Sequence, residues 1–246
     1  MNLEVACVLG ASRGIGLAFV KKLVEKPEVK IVFAMARTVE QIDYSHPKLV
    51  KIYLDAANEE SFFQAKEQMQ KSADHIDLLI NCIGFLHENE VLPERKIDEV
   101  NTENFVHSLK INVLPSIFML KAFKDMLRES EAPVIASLSA KVGSIGDNRM
   151  GGWYSYRISK TALNMALKTA AIEFQRMKSS SRFFLLHPGT TKTKLSEPFL
   201  KFAKSKYKIH DPEDTAKNLL NLINRNLDQK EEPILFLSWD GERLSW

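Results

Sequence analysis

Seven short apolar runs recur along this chain, at 5–9, 30–36, 50–54, 78–82, 133–138, 183–187 and 234–238, with amphipathic segments between them. Most are apolar nearly throughout rather than at alternate positions, as suits strands buried on both faces. Such strands need a covering layer on each side, so the alternation predicts an α/β fold: a doubly wound, seven-stranded parallel sheet with helices on both faces. Helices are expected over 14–25, 59–71, 103–128, 156–177 and 212–227. The last has the plainest start signal. Asp211 stands where a cap is needed, Pro212 where no amide hydrogen is needed, and Glu213 and Asp214 near the positive end of the helix dipole.

With 246 residues, 45% of them hydrophobic and 26% charged, the chain can bury a sizeable core. No linker, repeat or low-complexity tract divides it, so residues 1–246 read as a single domain. The formal net charge of +3 is small, and basic and acidic residues alternate, so nucleic acid is not implied. Cys7 and Cys82 lie in apolar runs without partners at zinc-ligand spacing; they read as core residues in a reducing compartment, and no metal is expected. The first strand leaves no room for a signal peptide and no apolar run nears the ~18 residues of a membrane span, so the cytoplasm is the expected location.

The first strand runs straight into Gly10-Ala11-Ser12-Arg13-Gly14-Ile15-Gly16 and then an apolar-periodic helix. Glycines there let the backbone turn sharply and approach a pyrophosphate, while free amides at the helix start present positive charge to it. A plain tight turn is the competing reading. At the end of the second strand, where an acid would grip the ribose 2′-hydroxyl of NAD, the sequence reads Met35-Ala36-Arg37. Arg13 and Arg37 suit instead the additional 2′-phosphate of NADP; as mere solvated arginines they would leave the missing acid unexplained. Asp55, after the third strand, is placed to accept from an adenine amino group, and Asn81 and Gly84 end the fourth strand beside the same crevice.

Tyr156 and Lys160 are four apart in a helical segment, so both project from one face. An ammonium beside a phenol stabilises the phenolate and eases proton transfer near neutral pH. A solvated surface pair is the alternative. Ser139 ends the fifth strand, where its hydroxyl can reach a substrate carbonyl; Ser137 points to the same side but lies deeper. Asn112 precedes Pro115 by three residues, and that proline removes the amide that would bond the carbonyl of Ile111. The helix should be disturbed at Asn112, leaving a carbonyl free to hold a water on a path to Lys160, or it is simply kinked.

Together these residues resemble the short-chain dehydrogenase/reductase family over essentially the whole chain. Gly10-x-x-x-Gly14-x-Gly16 is similar to its nucleotide loop, Asn81-Cys82-Ile83-Gly84 to its fourth-strand motif, and Asn112, Ser139, Tyr156 and Lys160 to its catalytic tetrad. The resemblance implies a Rossmann fold, an NADP(H) cofactor and reversible hydride transfer to a small aldehyde or ketone, or from an alcohol. It implies Tyr156 as general acid, Ser139 as the group orienting the carbonyl, Lys160 as the group that lowers the tyrosine pKa and binds the nicotinamide ribose, and Asn112 as holder of the relay water. It implies cofactor contacts at Ser12, Ile15, Ala56 and Cys82 besides the residues above, and at Pro188, Gly189, Thr191 and Thr193 around the nicotinamide. His187 is then a strand-end residue, since no nucleophile constellation accompanies it.

The stretches 143–156 and 239–246 are similar to the C-factor-like and sniffer-like carbonyl reductase subgroup. Three positions depart from the family pattern: Leu9 for a threonine, Cys82-Ile83 for Asn-Ala, and a longer interval from Ser139 to Tyr156, which bears on how Met150, Gly151 and Trp153 shape the substrate mouth. A substrate lid is expected over about 190–210. There Phe199, Leu200, Phe202 and Tyr207 offer apolar surface, while Lys192, Lys194, Lys201, Lys204, Lys206 and Lys208 offer either a solvated face or attraction for an acidic substrate. Because the C-factor-like subgroup includes developmental signals, an NADP(H)-binding regulatory protein is the rival reading; a non-redox dehydratase or epimerase is a third. The family's dimer contact through the helices around Asn112 and Tyr156 implies a homodimer or homotetramer, with which Met165, Ala166 and Thr169 are compatible.

Overall fold

The apolar runs assemble into one parallel sheet in a computed structural model that describes residues 3–88, 91–204, 208–229 and 231–246. Its strands are β1 (Val5–Leu9), β2 (Ile31–Ala36), β3 (Leu49–Tyr53), β4 (Leu78–Asn81), β5 (Val134–Leu138), β6 (Arg182–His187) and β9 (Ile234–Ser238). The order across the sheet is β3-β2-β1-β4-β5-β6-β9, with every neighbouring pair parallel. The chain therefore winds outward in both directions from between β1 and β4, where Leu9 pairs with Asn81 and the crossovers diverge. That divergence opens a crevice at the carboxyl ends of the strands, the place where ligands of open α/β sheets bind.

Each face of the sheet carries its own apolar layer. Ala6 and Val8 of β1 join Phe19 and Leu23 of α1 (Gly14–Val24) and Leu219 and Ile223 of α7 (Pro212–Arg225). Val5, Cys7 and Leu9 join Phe62 of α2 (Glu59–Met69), Phe123 of α4 (Leu114–Arg128) and Leu163 of α5 (Tyr154–Arg176). Burying each such Leu or Phe side chain contributes about 1.5–3 kcal/mol against leaving it in water.

Local chemistry altered several expected boundaries. The helix expected over 103–128 is two helices, α3 (Thr102–Asn112) and α4, separated by Val113 at φ −111°, ψ −55°. Pro115 lies in the first turn of α4, where its missing amide costs nothing, and so starts a helix rather than kinking one. Asp211 occupies the cap position of α7 but its carboxylate makes no cap hydrogen bond; its main-chain oxygen receives Thr215 N at 3.0 Å. After β6, β7 (Thr190–Thr191) pairs in parallel with β8 (Ile209–His210), tying together the ends of the segment expected to be a lid. Phe199 ends a 3-10 turn (Glu197–Phe199) and precedes a short helix, α6 (Leu200–Ala203); Lys206 and Tyr207 lie outside the described residues. Among the described residues no helix is long and apolar enough to cross a membrane, and no cluster of His, Cys, Asp or Glu could hold a metal ion.

Candidate active site

The glycine loop leaves β1 through a turn that only glycine enters without strain. Gly10 has φ +74°, and its amide and that of Ala11 both donate to the Met35 carbonyl of β2, at 2.9 and 3.0 Å. A Cβ on Gly10 would lie 3.1 Å from the backbone of Cys82 and Ile83, so the loop rests directly on the fourth-strand segment. Gly14 has φ +57° and faces Thr193, and a Cβ on Gly16 would lie 2.1 Å from the Gly10 carbonyl oxygen. Ser12, Gly14 and Ile15 are half-buried, leaving the start of α1 open to solvent. Arg13 precedes that helix and Arg37 follows β2. Both are exposed, and among the described residues neither guanidinium has a hydrogen bond or ion pair. Two unneutralised cations beside bare helix amides form a place for phosphate.

Other expected contact residues differ in what their side chains offer. Asp55 accepts from Ala57 N at 3.0 Å in a local turn and, with Ala56, is half-buried. Asn81 turns inward: it donates to Ser116 Oγ at 2.8 Å and accepts from Ile83 N at 2.9 Å, so it shapes the strand end rather than presenting a free amide. Ser116 in turn lies 3.3 Å from Ser137, placing Ser137 in a buried polar network away from the crevice. Cys82 is half-buried, and burial pushes its thiol pKa up. Thr191 also turns inward, to Thr215 Oγ1 at 2.9 Å and the Pro188 carbonyl at 3.2 Å. Gly189 has φ +69° and stands against Trp239, where a Cβ would come within 2.7 Å of the ring. Thr193 is held by Ser196 Oγ at 3.1 Å and reaches over Gly14, joining the post-β6 segment to the nucleotide loop.

The catalytic candidates converge at the carboxyl ends of β4 and β5. Asn112, fully buried at the end of α3, accepts from Phe85 N at 2.7 Å and donates to Phe85 O and Ser159 Oγ, each at 2.8 Å. It thereby ties the segment after β4 to α5. A Cβ on Gly84 would lie 3.6 Å from Lys160 Nζ and 3.7 Å from Asn112 Oδ1, so these three residues share one spot. Lys160 is 3% exposed, and Nζ donates to the Leu138 carbonyl at 3.0 Å. Burial lowers its pKa to about 8, only partly opposed by Cys82.

Tyr156 lies one turn earlier, with Lys160 Nζ 5.8 Å from its ring centroid, and its hydroxyl has no hydrogen-bond partner among the described residues. Burial raises the pKa of its phenol, and Nζ, turned toward Leu138, makes no hydrogen bond to it. Ser139, 3% exposed at the end of β5, donates to Asn164 Oδ1 at 2.6 Å. His187 ends β6 as a half-buried imidazole. Burial and the nearby Lys141 charge lower its pKa to about 4, and its Nδ1 has no hydrogen-bond partner.

Sequence reasoning named Trp153 at the substrate mouth and Phe199 in the lid, but not their meeting around Tyr156. Trp153, at φ +54°, meets the Tyr156 ring at 6.2 Å and Phe199 at 4.9 Å, and Phe199 meets His87 at 5.8 Å. Leu86, Val142 and Leu195 complete this apolar cluster. It also missed Asn164 and the buried Glu94, whose carboxylate accepts from Ser155 at the start of α5. Asn164 lies on the same helix as Tyr156 and Lys160, but nothing in its spacing shows that it meets Ser139, and Glu94 stands in no periodic or motif-like stretch. Their contacts span 25 and 61 residues of chain.

Comparison with known proteins agrees with this geometry. The family model described as short chain dehydrogenase matches residues 4–203. An uncharacterized oxidoreductase of Schizosaccharomyces pombe is 28% identical over 253 residues, spanning 97% of this chain and 96% of its own. Among solved structures, the NADPH-bound carbonyl reductase from chicken fatty liver superposes with a TM-score of 0.82 at 25% identity, over 100% of both chains. The carbonyl reductase Sniffer of Drosophila melanogaster superposes with a TM-score of 0.81 at 23% identity, also over 100% of both, which is a likeness of fold.

Proposed function

The chain belongs to the short-chain dehydrogenase/reductase family, and we propose on that premise that it is an NADP(H)-dependent carbonyl reductase acting on small aldehydes or ketones, reversibly. The observation that carries this reading is the meeting of Gly84, Asn112 and Lys160 at one spot beside Tyr156, across the crevice from a glycine loop flanked by two unpaired arginines.

The residues present fit a phosphorylated dinucleotide, whose nicotinamide supplies the hydride when bound. Gly10, Ser12, Gly14, Ile15 and Gly16 would cradle its pyrophosphate, with Arg13 and Arg37 at the 2′-phosphate. Asp55 and Ala56 would border the adenine. Gly84 and the backbone of Asn81 and Cys82 would line the crevice. Gly189 and Thr193, set by Pro188 and the inward-turned Thr191, would border the nicotinamide.

Tyr156 gives its phenolic proton to the carbonyl oxygen. Burial raises its pKa and keeps that proton in place at neutral pH, and approach of the Lys160 ammonium would ease its release. Ser139 turns its hydroxyl from Asn164 to the same oxygen and orients it. Lys160, charged below pH about 8, supports proton supply to Tyr156, and Asn112 fixes the backbone along the path. Trp153, Phe199 and Leu195 exclude water and favour an apolar carbonyl compound. Segment 190–210 acts as the lid. Exposed Ile117 of α4 and Ile158 and Met165 of α5 support a homodimer through these helices.

The test is a fluorescence titration with NADPH and NADH, followed by turnover of an aldehyde, ketone and quinone panel. Tyr156→Phe should keep NADPH affinity and lower kcat by about 10³, within the usual range for loss of a general acid. NADPH binding without turnover on any carbonyl would return the regulatory reading, and no binding would end both.

A further inference from the structure

Three consecutive residues before the catalytic helix hold left-handed backbone: Gly151 at φ +64°, Gly152 at +66° and Trp153 at +54°. The first two are at ease there. Trp153 is not, because its Cβ crowds the carbonyl that follows. A strained residue persists only where its surroundings over-determine it, and such residues gather where a side chain must be aimed. Here the surroundings come largely from one distant residue, Glu94, 7% exposed in the segment between β4 and α3.

Glu94 grips the turn from both its main chain and its side chain. Its carbonyl oxygen accepts from Trp153 N. Its carboxylate accepts from Ser155 N at 3.2 Å and from the Ser155 hydroxyl. Among the described residues no cation pairs with this buried carboxylate. Its partners are instead the Ser155 amide and hydroxyl in the first turn of α5, where the helix dipole favours an acceptor. No residue of the 151–153 turn caps α5 itself, since Trp153 has no side-chain acceptor. Tyr156 follows Ser155 directly, and its ring packs on Trp153.

We propose that Glu94 is a positioning residue for the reaction, a cap supplied across 61 residues of chain that fixes the Trp153 turn and thereby aims the Tyr156 hydroxyl and the aromatic wall. The role in turnover rests on the reductase reading; the clamp itself does not. Gln keeps an acceptor oxygen for Ser155 N and an amide that can meet the Ser155 hydroxyl, whereas Ala keeps neither. Glu94→Ala should lower kcat at least tenfold on the fastest carbonyl of the panel, leave the NADPH Kd within twofold, and still melt cooperatively. Glu94→Gln should recover kcat to within threefold of the parent. Where Glu94→Ala does not fold, Glu94→Asp, one methylene short, takes its place against Glu94→Gln with the same criteria.

Hydrogen exchange at the amides of 155–157 is measured on the same proteins without substrate, and should be at least tenfold faster in the Ala or Asp variant while α1 is unchanged. Unchanged exchange overturns the clamp, whether or not the parent protein turns over any carbonyl. Faster exchange with kcat within twofold of the parent overturns the positioning role. So does a Gln variant as impaired as Ala with NADPH affinity falling in parallel, which marks general damage. Faster exchange in a protein that reduces nothing upholds the clamp and counts against the reductase reading alone.

Discussion

The two ends of the crevice treat charge in opposite ways. At the proposed nucleotide end Arg13 and Arg37 are exposed and, among the described residues, without hydrogen-bond or ion-pair partners. At the proposed catalytic end Tyr156 and Lys160 are buried and His187 is half-buried, and removal from water is the largest cause of the pKa shift in each. Holding a multiply charged ligand calls for cations with free donors, which solvent keeps charged at no desolvation cost. Moving a proton near neutral pH calls for groups whose affinity for it has been adjusted, and removal from water is the means available in a site without a described ion pair. The contrast predicts that the two ends respond to different perturbations.

The largest effect is expected at the exposed end. Two charge-assisted hydrogen bonds at about 1.5–3 kcal/mol each imply that Arg13→Ala with Arg37→Ala lowers NADPH affinity by about 100-fold or more. NADH affinity should move by less than about threefold and stability by less than about 0.5 kcal/mol, because both side chains are surface groups without partners. Titrations of the double variant with both dinucleotides check this. Equal loss for both would mean the arginines hold the pyrophosphate rather than the 2′-phosphate, and the distinction between the ends would blur.

The next effect is acid sensitivity at the buried end. His187 has a folded pKa of about 4 against an unfolded value near 6.5, so between those values the unfolded chain binds the additional proton. Its contribution is fully present above pH about 6.5 and is lost as pH falls toward about 4. At about 1.4 kcal/mol per unit the loss is at most about 3 kcal/mol, with Lys141 adding to the burial effect and Asp240 and Asp147 opposing it. Urea unfolding from pH 7 to pH 4 should therefore show a shallower acid decline in His187→Asn than in the parent. Parallel curves would remove His187 from the account and leave burial at Tyr156 and Lys160 alone to distinguish this end.

The two ends also differ in how much of them the sequence discloses. β1 and β9 occupy the spans their apolar runs mark, 5–9 and 234–238, because a strand buried on both faces writes its burial in consecutive residues. The glycine loop is equally local, with its turn, Arg13 and the start of its helix lying within seven residues, Gly10 to Gly16. The substrate end is assembled from pairs far apart in the chain, among them His87 with Leu195, Glu94 with Ser155 and Ser144 with Ser245. No periodicity marks such pairs, and the two-residue strands β7 and β8 are too short to carry one. The break between α3 and α4 was half legible: Pro115 pointed to Asn112, but a mid-helix reading could not tell a kink from a new start. The direction of the ammonium was not legible at all, because Leu138 offers Nζ a main-chain oxygen that no side-chain pattern reveals.

The smallest expected effect is a pH limb that asks whether burial governs the catalytic end in solution. In the free protein Lys160 has a pKa of about 8, while burial moves the Tyr156 phenol upward and away from that range. Raising the pH through about 8 removes the proton from Lys160 before the phenol ionises, so kcat/KM for NADPH at saturating carbonyl, which reports the free enzyme, should fall about tenfold per unit above it. The fall belongs to the pair if the two groups couple, but its midpoint still separates the alternatives. A midpoint near 8 means that desolvation of the ammonium sets the limb. A midpoint near 10 would mean that water reaches Lys160, and that this end handles charge much as the arginine end does.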